Sequence, residues 1–440
     1  MTTKTHAEIP DADVFAGREE LCAHSREFRK HVVEVADGVF VAVGYSASNV
    51  TLIQGRSGSI IVDTSANLID AAAIVEAFGE RMTRPVRAII YTHNHPDHSG
   101  GATVFAGSDD PEIWSHQLLV SARPELARGA RDGGDQFGVG LPDDQFINAG
   151  IQLQYGRETP HTREGFLPPT HTFAGTGEEL SIDGVRLHLL HTPGESEENV
   201  AVWMAEKRVL LPGDDFYKSF PNLSPIRGVR LRSPEKWIAS LERMIELQAE
   251  YLVPGHMLPV VGAEDVRRAL TAYRDAIRFV FDATISGIQK GLTPDELVQR
   301  VKLPPELAGN PYLREYYGCV AWTVRGIYAD YVGWFDGNPT NMFPLSSRER
   351  SARIIALGGG ANAVLNHAKA ALSDGDFPWA AELSDALIAD GRFRVDAMRV
   401  KAQALTELAE RQINATARNY YLTVAKTLNT GVEGSQTAGA

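Results

Sequence analysis

The sequence predicts a mixed α/β domain followed by an all-helical domain. Short apolar runs of strand length, punctuated by Gly and Ser, fill residues 39–64 and recur to about 256. Four ligand-type side chains are bunched in THNHPDHSGG, directly after the buried-strand pattern VRAIIY. From about 264 onward strand patterns nearly vanish, and apolar residues recur at helical spacing.

In chain order, EELCAHSREFRKHV gives residues 1–35 a weakly amphipathic helical pattern, read as an N-terminal arm. VFVAVGY, NVTLIQG and SGSIIVDTS follow as adjacent strands joined by tight turns. Residues 68–80 read as a helix and VRAIIYTH as a buried strand, with further strands in PEIWSH, RLHLLHT, NVAVWMA and KRVLLPGD. SPEKWIASLERMIEL reads as a helix capped by Ser233, with Pro234 in its first turn and Trp237, Ile238, Leu241, Met244 and Ile245 on one face. YLVPGH is a strand running into a loop. The stretch from about 120 to 175 is rich in Gly, Pro and Arg, lacks periodicity, and reads as a lid or insert. Segments such as AVLNHAKAALSDG and PWAAELSDALIADG read as Gly-closed helix pairs of tetratricopeptide-like spacing, and residues 428–440 as a flexible tail. The expected boundaries are 1–35, 36–263, 264–427 and 428–440.

Charge and composition narrow the function. A net charge of −13, without clustered Lys and Arg, disfavours nucleic-acid binding. No run approaches the ~20 apolar residues of a membrane span, and the N-terminus lacks the apolar core of a secretory signal. The expected location is therefore the cytoplasm. Cys22 and Cys319 do not form a disulfide framework and have no activating motif beside them.

The chemistry concentrates in residues 92–101. His93 and His95, two apart in an extended segment, leave on the same side, while Asp97 and His98 follow the Pro96 bend and can serve a second metal. Imidazole and carboxylate ligands of this kind suit first-row divalent metals. Further candidates arrive just after strands on Pro-Gly turns: Glu195, Asp214 with Asp215 beside it, and His256. Glu197 and Glu198 compete with Glu195. A carboxylate at Asp214 could bridge two ions. His188 and His191 lie in a strand, where a structural role outweighs support of a ligand; His116, His161 and His171 read as solvated loop or lid-lining residues.

This arrangement resembles the metallo-β-lactamase fold, an αββα sandwich. Glu195 in place of a His, NLSPIRG at 222–228, and the downstream PYLREYYG and YVGWFDGNP make it similar to the alkyl sulfatase branch, over about residues 35–425. The resemblance implies an α/β catalytic domain with an all-α dimerisation domain and no sterol-carrier-like third domain. It further implies two divalent metals, Zn first and Mn as alternative: one on His93, His95 and Glu195, the other on Asp97, His98 and His256, bridged by Asp214, where the family commonly has Glu. The implied activity is hydrolysis of a sulfate ester or related sulfonyl (sulfamate-type) small molecule by a metal-bound hydroxide, in a homodimer. The implied catalytic set is Asp97, Asp214, Asn222 and Lys218, with Asn222 handling the anion and Lys218 supplying charge or a proton. An Arg and a His of the family's sulfate pocket fall here at Ser286 and Trp322; Arg227, Arg230, Arg278 and Arg325 are the candidates to replace that charge, although salt bridges or solvated faces are the blander role for each. The alternatives are hydrolysis of another ester, lactone or amide, and a non-catalytic dimeric binding protein.

Overall fold

The computed structural model describes residues 17–121, 134–152, 164–228 and 230–437. Two sheets carry the architecture. The first holds seven strands in sequence order: β1 (His31–Ala36), β2 (Val39–Val43), β3 (Val50–Gln54), β4 (Ser59–Val62), β5 (Val86–Ile90), β6 (Glu112–His116) and β7 (His171–Phe173). β1 to β4 pair antiparallel and β4 to β7 parallel. The second has the order β13 (Val260–Val261), β12 (Tyr251–Leu252), β11 (Val209–Leu211), β10 (Val200–Met204), β9 (Val185–His191) and β8 (Gly177–Ile182), antiparallel except between β11 and β12.

The continuous apolar runs have a simple cause: both faces of the first sheet are covered. Val39, Val41 and Val43 point into one core with Ile60, Val62, Ile90, Leu187, Leu189, Val200 and Val202, which lies between the sheets. The alternate residues Phe40 and Ala42 join Leu52, Ile61 and Ile89 in a second core, closed by helices Leu68–Phe78 and Ala102–Ala106. Helix Pro234–Glu246 is capped by the Ser233 side chain, which accepts the Lys236 N–H, and buries Trp237, Ile238, Leu241 and Met244 as its spacing predicts. The following helix, Ala263–Gln289, packs against it. This is the sandwich expected from the sequence.

Two local expectations are corrected. Residues 31–36, taken as the end of a helical arm, form β1. Only Gly17–His24 and the short 3-10 turn Ser25–Phe28 are helical, because HVVEVA alternates in polarity and finds a partner in β2. The stretch from 428, expected as a flexible tail, continues helix Ala415–Thr437, with Gly431 placed against Met398 and Val432 buried. Residues 1–16, most of the predicted lid (122–133 and 153–163, with His161) and 438–440 lie outside the described residues.

The chain compacts into two units. One comprises residues 25–134 and 148–338: both sheets, together with helices Ala263–Gln289, Pro294–Arg300 and Val320–Tyr331. The other comprises 1–24, 135–147 and 339–440. Its helices Ser347–Leu357, Ala361–Ser373, Phe377–Asp390 and Arg394–Glu410 pack around Leu365, Leu383, Leu387 and Val400, and Ala415–Thr437 packs on Arg394–Glu410 through Ala402, Leu405 and Ala425. The first turn of Phe377–Asp390 is capped by the Asp376 side chain, and the helix ends on Gly391 in the left-handed conformation. Among the described residues, no helix is long and apolar enough to cross a membrane.

Candidate metal centre

The centre forms where parallel strands end. β4 runs into Asp63 and β5 into Tyr91, Thr92 and His93, so the same edge of the first sheet delivers both stretches. From the second sheet, β11 leads through a Pro-Gly turn into Asp214, and β12 through another into His256. All of these residues belong to one compact unit.

Two groups of ligand-type atoms come together: His93, His95 and Asp214, and Asp97, His98 and His256. Asp214 touches both. Its Oδ2 lies 3.6 Å from His93 Nε2 and 3.1 Å from His256 Nε2, and its Oδ1 lies 3.4 Å from His98 Nε2. Asp97 Oδ2 is 3.7 Å from both His98 Nε2 and His256 Nε2. His93 Nε2 and His95 Nδ1 are 2.8 Å apart.

Burial and charge set the protonation. Burial, reinforced by the charge of His98, lowers His93 to about 4. His95 falls well below its ordinary value, through burial and then His93, Arg227 and Arg232. Both imidazoles are thus neutral, the form that binds metal. For Asp214, burial raises the carboxyl, but His256, His98 and His93 outweigh it and hold the group ionised. Asp214 Oδ1 and His98 Nε2 are buried without a hydrogen-bond partner. Such atoms are costly unless something completes them, and a divalent cation does so with this N/O donor set; the residues fit the expected metals.

Glu195 is not in either group. Its Oε2 is ion-paired with buried Arg232, whose Nη1 also donates to the Asn222 carbonyl at 2.6 Å. Burial raises Glu195 to about 8 against the lowering by Arg232. The competing acids go elsewhere: Glu197 pairs with Lys236 at 2.6 Å, and buried Glu198 accepts the Asn94 N–H at 3.1 Å. Lys218, the expected charge or proton donor, has Nζ 2.9 Å from Glu27 Oε2. Asn222 is buried, and its N–H donates to Tyr217 Oη at 2.8 Å. Away from the groups, His188 Nδ1 is 3.7 Å from Glu179, His171 Nδ1 lies 2.9 Å from Thr170 Oγ1, and His191 donates from Nε2 to the Glu197 carbonyl while stacking on buried His116 at 3.9 Å.

The Pro-Gly turns have a steric reason. A Cβ on Gly255 would collide with Asp214 Oδ1 and come within 2.8 Å of His98 Cε1; one on Gly194 would meet the Trp237 ring at 2.8 Å and Asp215 Oδ1. Only glycine lets these backbones pass so close to the acids. We expect Gly255→Ala to separate Asp214 from His98 and lower metal content while the fold persists, read by metal analysis beside circular dichroism. Unchanged metal stoichiometry would refute this.

Sequence reasoning missed two supporting residues. Asp63, in the left-handed region at φ 59°, accepts from Thr92 N at 2.9 Å and Thr92 Oγ1 at 2.8 Å, and lies 2.7 Å from His98 Nδ1. It thereby fixes which His98 nitrogen faces Asp214. Arg232 is the other. The available signals were an acid ending the strand SIIV and the Arg-rich run IRGVRLR.

Comparison with known proteins finds relatives over most of the chain. Residues 43–256 match the metallo-beta-lactamase superfamily and residues 293–431 the alkyl sulfatase dimerisation family. A linear primary-alkylsulfatase of Pseudomonas sp. is 37% identical over 407 residues, covering 87% of this chain and 74% of the relative. An (R)-specific secondary-alkylsulfatase of Pseudomonas sp. is 30% identical, covering 91% and 62%. The solved stereoselective inverting sec-alkylsulfatase Pisa1 from Pseudomonas sp. superposes with a TM-score of 0.84 at 30% identity, covering 92% of this chain and 66% of that one. The chain thus spans less than two thirds of the length of the last two.

Proposed function

The chain belongs to the metallo-β-lactamase superfamily, in its alkylsulfatase branch, and from that premise we propose that it is a metal-dependent hydrolase of a small sulfate ester. The observation that carries the reading is the meeting of two ligand groups on the single carboxylate of Asp214. In this reading His93 and His95 hold one cation, Asp97, His98 and His256 hold another, and Asp214 serves both. Glu195, which pairs with Arg232 here, would complete the first set of ligands. Zinc is the first choice for this mixed imidazole and carboxylate set, with manganese next. Bound cations of this kind lower the pKa of coordinated water and neutralise anionic charge.

The chain's own residues do the rest. Asp63 holds the His98 ring, Thr92 Oγ1 stands 3.0 Å from His93 Nδ1, and the Ala47 carbonyl lies 2.8 Å from His256 Nδ1, so three imidazoles are oriented from behind. Asn222, with its backbone fixed by Tyr217 and Arg232, is placed to handle the sulfate group. Sulfate is a weakly basic leaving group, so anion binding matters more than proton donation. Lys218 is paired with Glu27, which balances its charge. The helical segment matched by the dimerisation family supports a homodimer as the working form.

The departures at Ser286 and Trp322 favour a second reading, hydrolysis of another ester, lactone or amide in the same site. Sulfate release from purified, metal-analysed protein separates the two, measured on primary and secondary alkyl sulfates, aryl sulfates and cyclic sulfamates with zinc or manganese added. Sulfate or sulfamate products with about two metals per chain are expected, and His95→Ala should abolish both turnover and part of the metal content. Two metals with no turnover of any sulfonyl compound would move the assignment to the second reading; full activity in His95→Ala would overturn the metal assignment.

A further inference from the structure

We infer that Asn49 is a positioning residue for the second cation: with its neighbours Ala47 and Ser48 it seats His256 and the Asp97 turn, so that its loss weakens that site and spares the one at His93 and His95. The inference rests on the two-cation reading above and assigns residues outside both ligand groups to one cation of the pair. Asn49 is buried and ends the loop 44–49, which joins β2 to β3.

The turn that carries His256 is built around this side chain. Asn49 Nδ2 donates to the Pro254 carbonyl at 3.0 Å and to the Met257 carbonyl at 2.7 Å, and the Asn49 backbone N–H donates to the Gly255 carbonyl at 2.7 Å. Carbonyls of residues 254, 255 and 257 thus all end on one residue of the first sheet's loop. Both protons of the amide are used, and a carbonyl oxygen needs a donor opposite it, so neither an apolar nor an acidic side chain can take the place of Asn49. Met257, directly after His256, sits in the left-handed region at φ 68°, where an L-residue stays only when its surroundings hold it. His256 is therefore presented by a turn that the first sheet imposes.

The rest of the loop acts on ligands of the same cation. His256 Nδ1 lies 2.8 Å from the Ala47 carbonyl. A carbonyl can only accept, so in the neutral ring Nδ1 carries the proton, and the lone pair of Nε2 is turned to Asp97 and Asp214, 3.7 and 3.1 Å away. The Ser48 hydroxyl donates to the carbonyl of Asp97. His93 and His95 are fixed from elsewhere: Thr92 Oγ1 stands beside His93 Nδ1, and Glu198 accepts the N–H of Asn94 between them. A lesion at Asn49 therefore falls on one site of the two.

The test is a stepwise zinc titration of the metal-free full chain against a chelator, with NMR spectra of isotope-labelled histidine to tell the sites apart. For Asn49→Ala the dissociation constant of the zinc ion sensed by His256 should rise roughly 10–100-fold, the worth of an outer contact that orients a ligand. The zinc ion sensed by His93 and His95 should keep its wild-type constant. Asn49→Ser, with one donor in place of two, should fall between. Ile74→Ala, a truncation in the core beneath helix Leu68–Phe78, should lower the melting temperature and leave both constants unchanged, which separates seating of His256 from loss of stability. If Asn49→Ala fails to fold, Asn49→Ser and Ser48→Ala decide by the same two constants. Variants that bind both zinc ions with wild-type constants, or weaken the two equally, overturn this inference alone. Wild-type protein that takes up fewer than two zinc ions overturns the reading beneath it.

Discussion

Asp214→Ala is expected to strip the protein of at least one of its two metals and to reduce kcat by about 1,000-fold or more, the scale of several kcal/mol of lost charge stabilisation. The reasoning is geometric. Asp214 Oδ2 faces His93 and His256 while Oδ1 faces His98, so one truncation opens both ligand groups. It also leaves buried His98 and His256 without the carboxylate that balances their charge, and His98, raised well above its ordinary value despite burial because Asp214, Asp63 and Asp97 surround it, loses the strongest of the three acids. Metal analysis by mass spectrometry alongside kcat is the direct check. Asp214→Glu, the residue the family pattern carries here, should retain both metals. An Asp214→Ala protein with two metals and wild-type kcat would remove the bridging role altogether.

Asp63→Ala should be the most destabilising single change at the centre. Asp63 is 3% exposed and accepts from the Thr92 N–H and hydroxyl while lying hydrogen-bonded to His98 Nδ1. Each buried donor left without an acceptor costs about 1–3 kcal/mol, so a loss of about 3–5 kcal/mol is expected in urea unfolding. Alanine also fits the left-handed backbone at φ 59° less well than Asp or Asn. Metal affinity should fall by roughly 10–100-fold because the His98 ring is no longer oriented. Asp63→Asn keeps the shape and the backbone preference and should recover most of the stability but not all of the affinity. Equal stability for wild type and Asp63→Ala would show that the three contacts are dispensable.

What the sequence made legible was local. His93, His95, Asp97 and His98 are delivered by one strand end, and their crowding is visible in a ten-residue window. The Pro-Gly turns before Glu195, Asp214 and His256 were readable because the steric demand they answer, shown at Gly194 and Gly255, admits one residue type. Asp63 was not legible, since an acid ending SIIV means nothing until β4 and β5 are known to be parallel neighbours. Arg232 was hidden for the same reason: Glu195, its partner, stands 37 positions away. β1 was obscured by the helical pattern before it and is decided by pairing with β2, a tertiary effect. The second compact unit gathers three separated stretches, which composition along the chain cannot reveal.

The hydrogen bond from His256 Nδ1 to the Ala47 carbonyl joins residues 209 positions apart. At a synthesis rate of about 5–20 residues per second, the ribosome needs roughly 10–40 s to make the chain between them. From the completion of HNHPDH until His256 is added, the carboxylate and imidazole that complete its cation sites are not both in place. The nascent protein therefore offers incomplete, weakly holding sites for most of that interval, and metal loading coincides with docking of the second sheet.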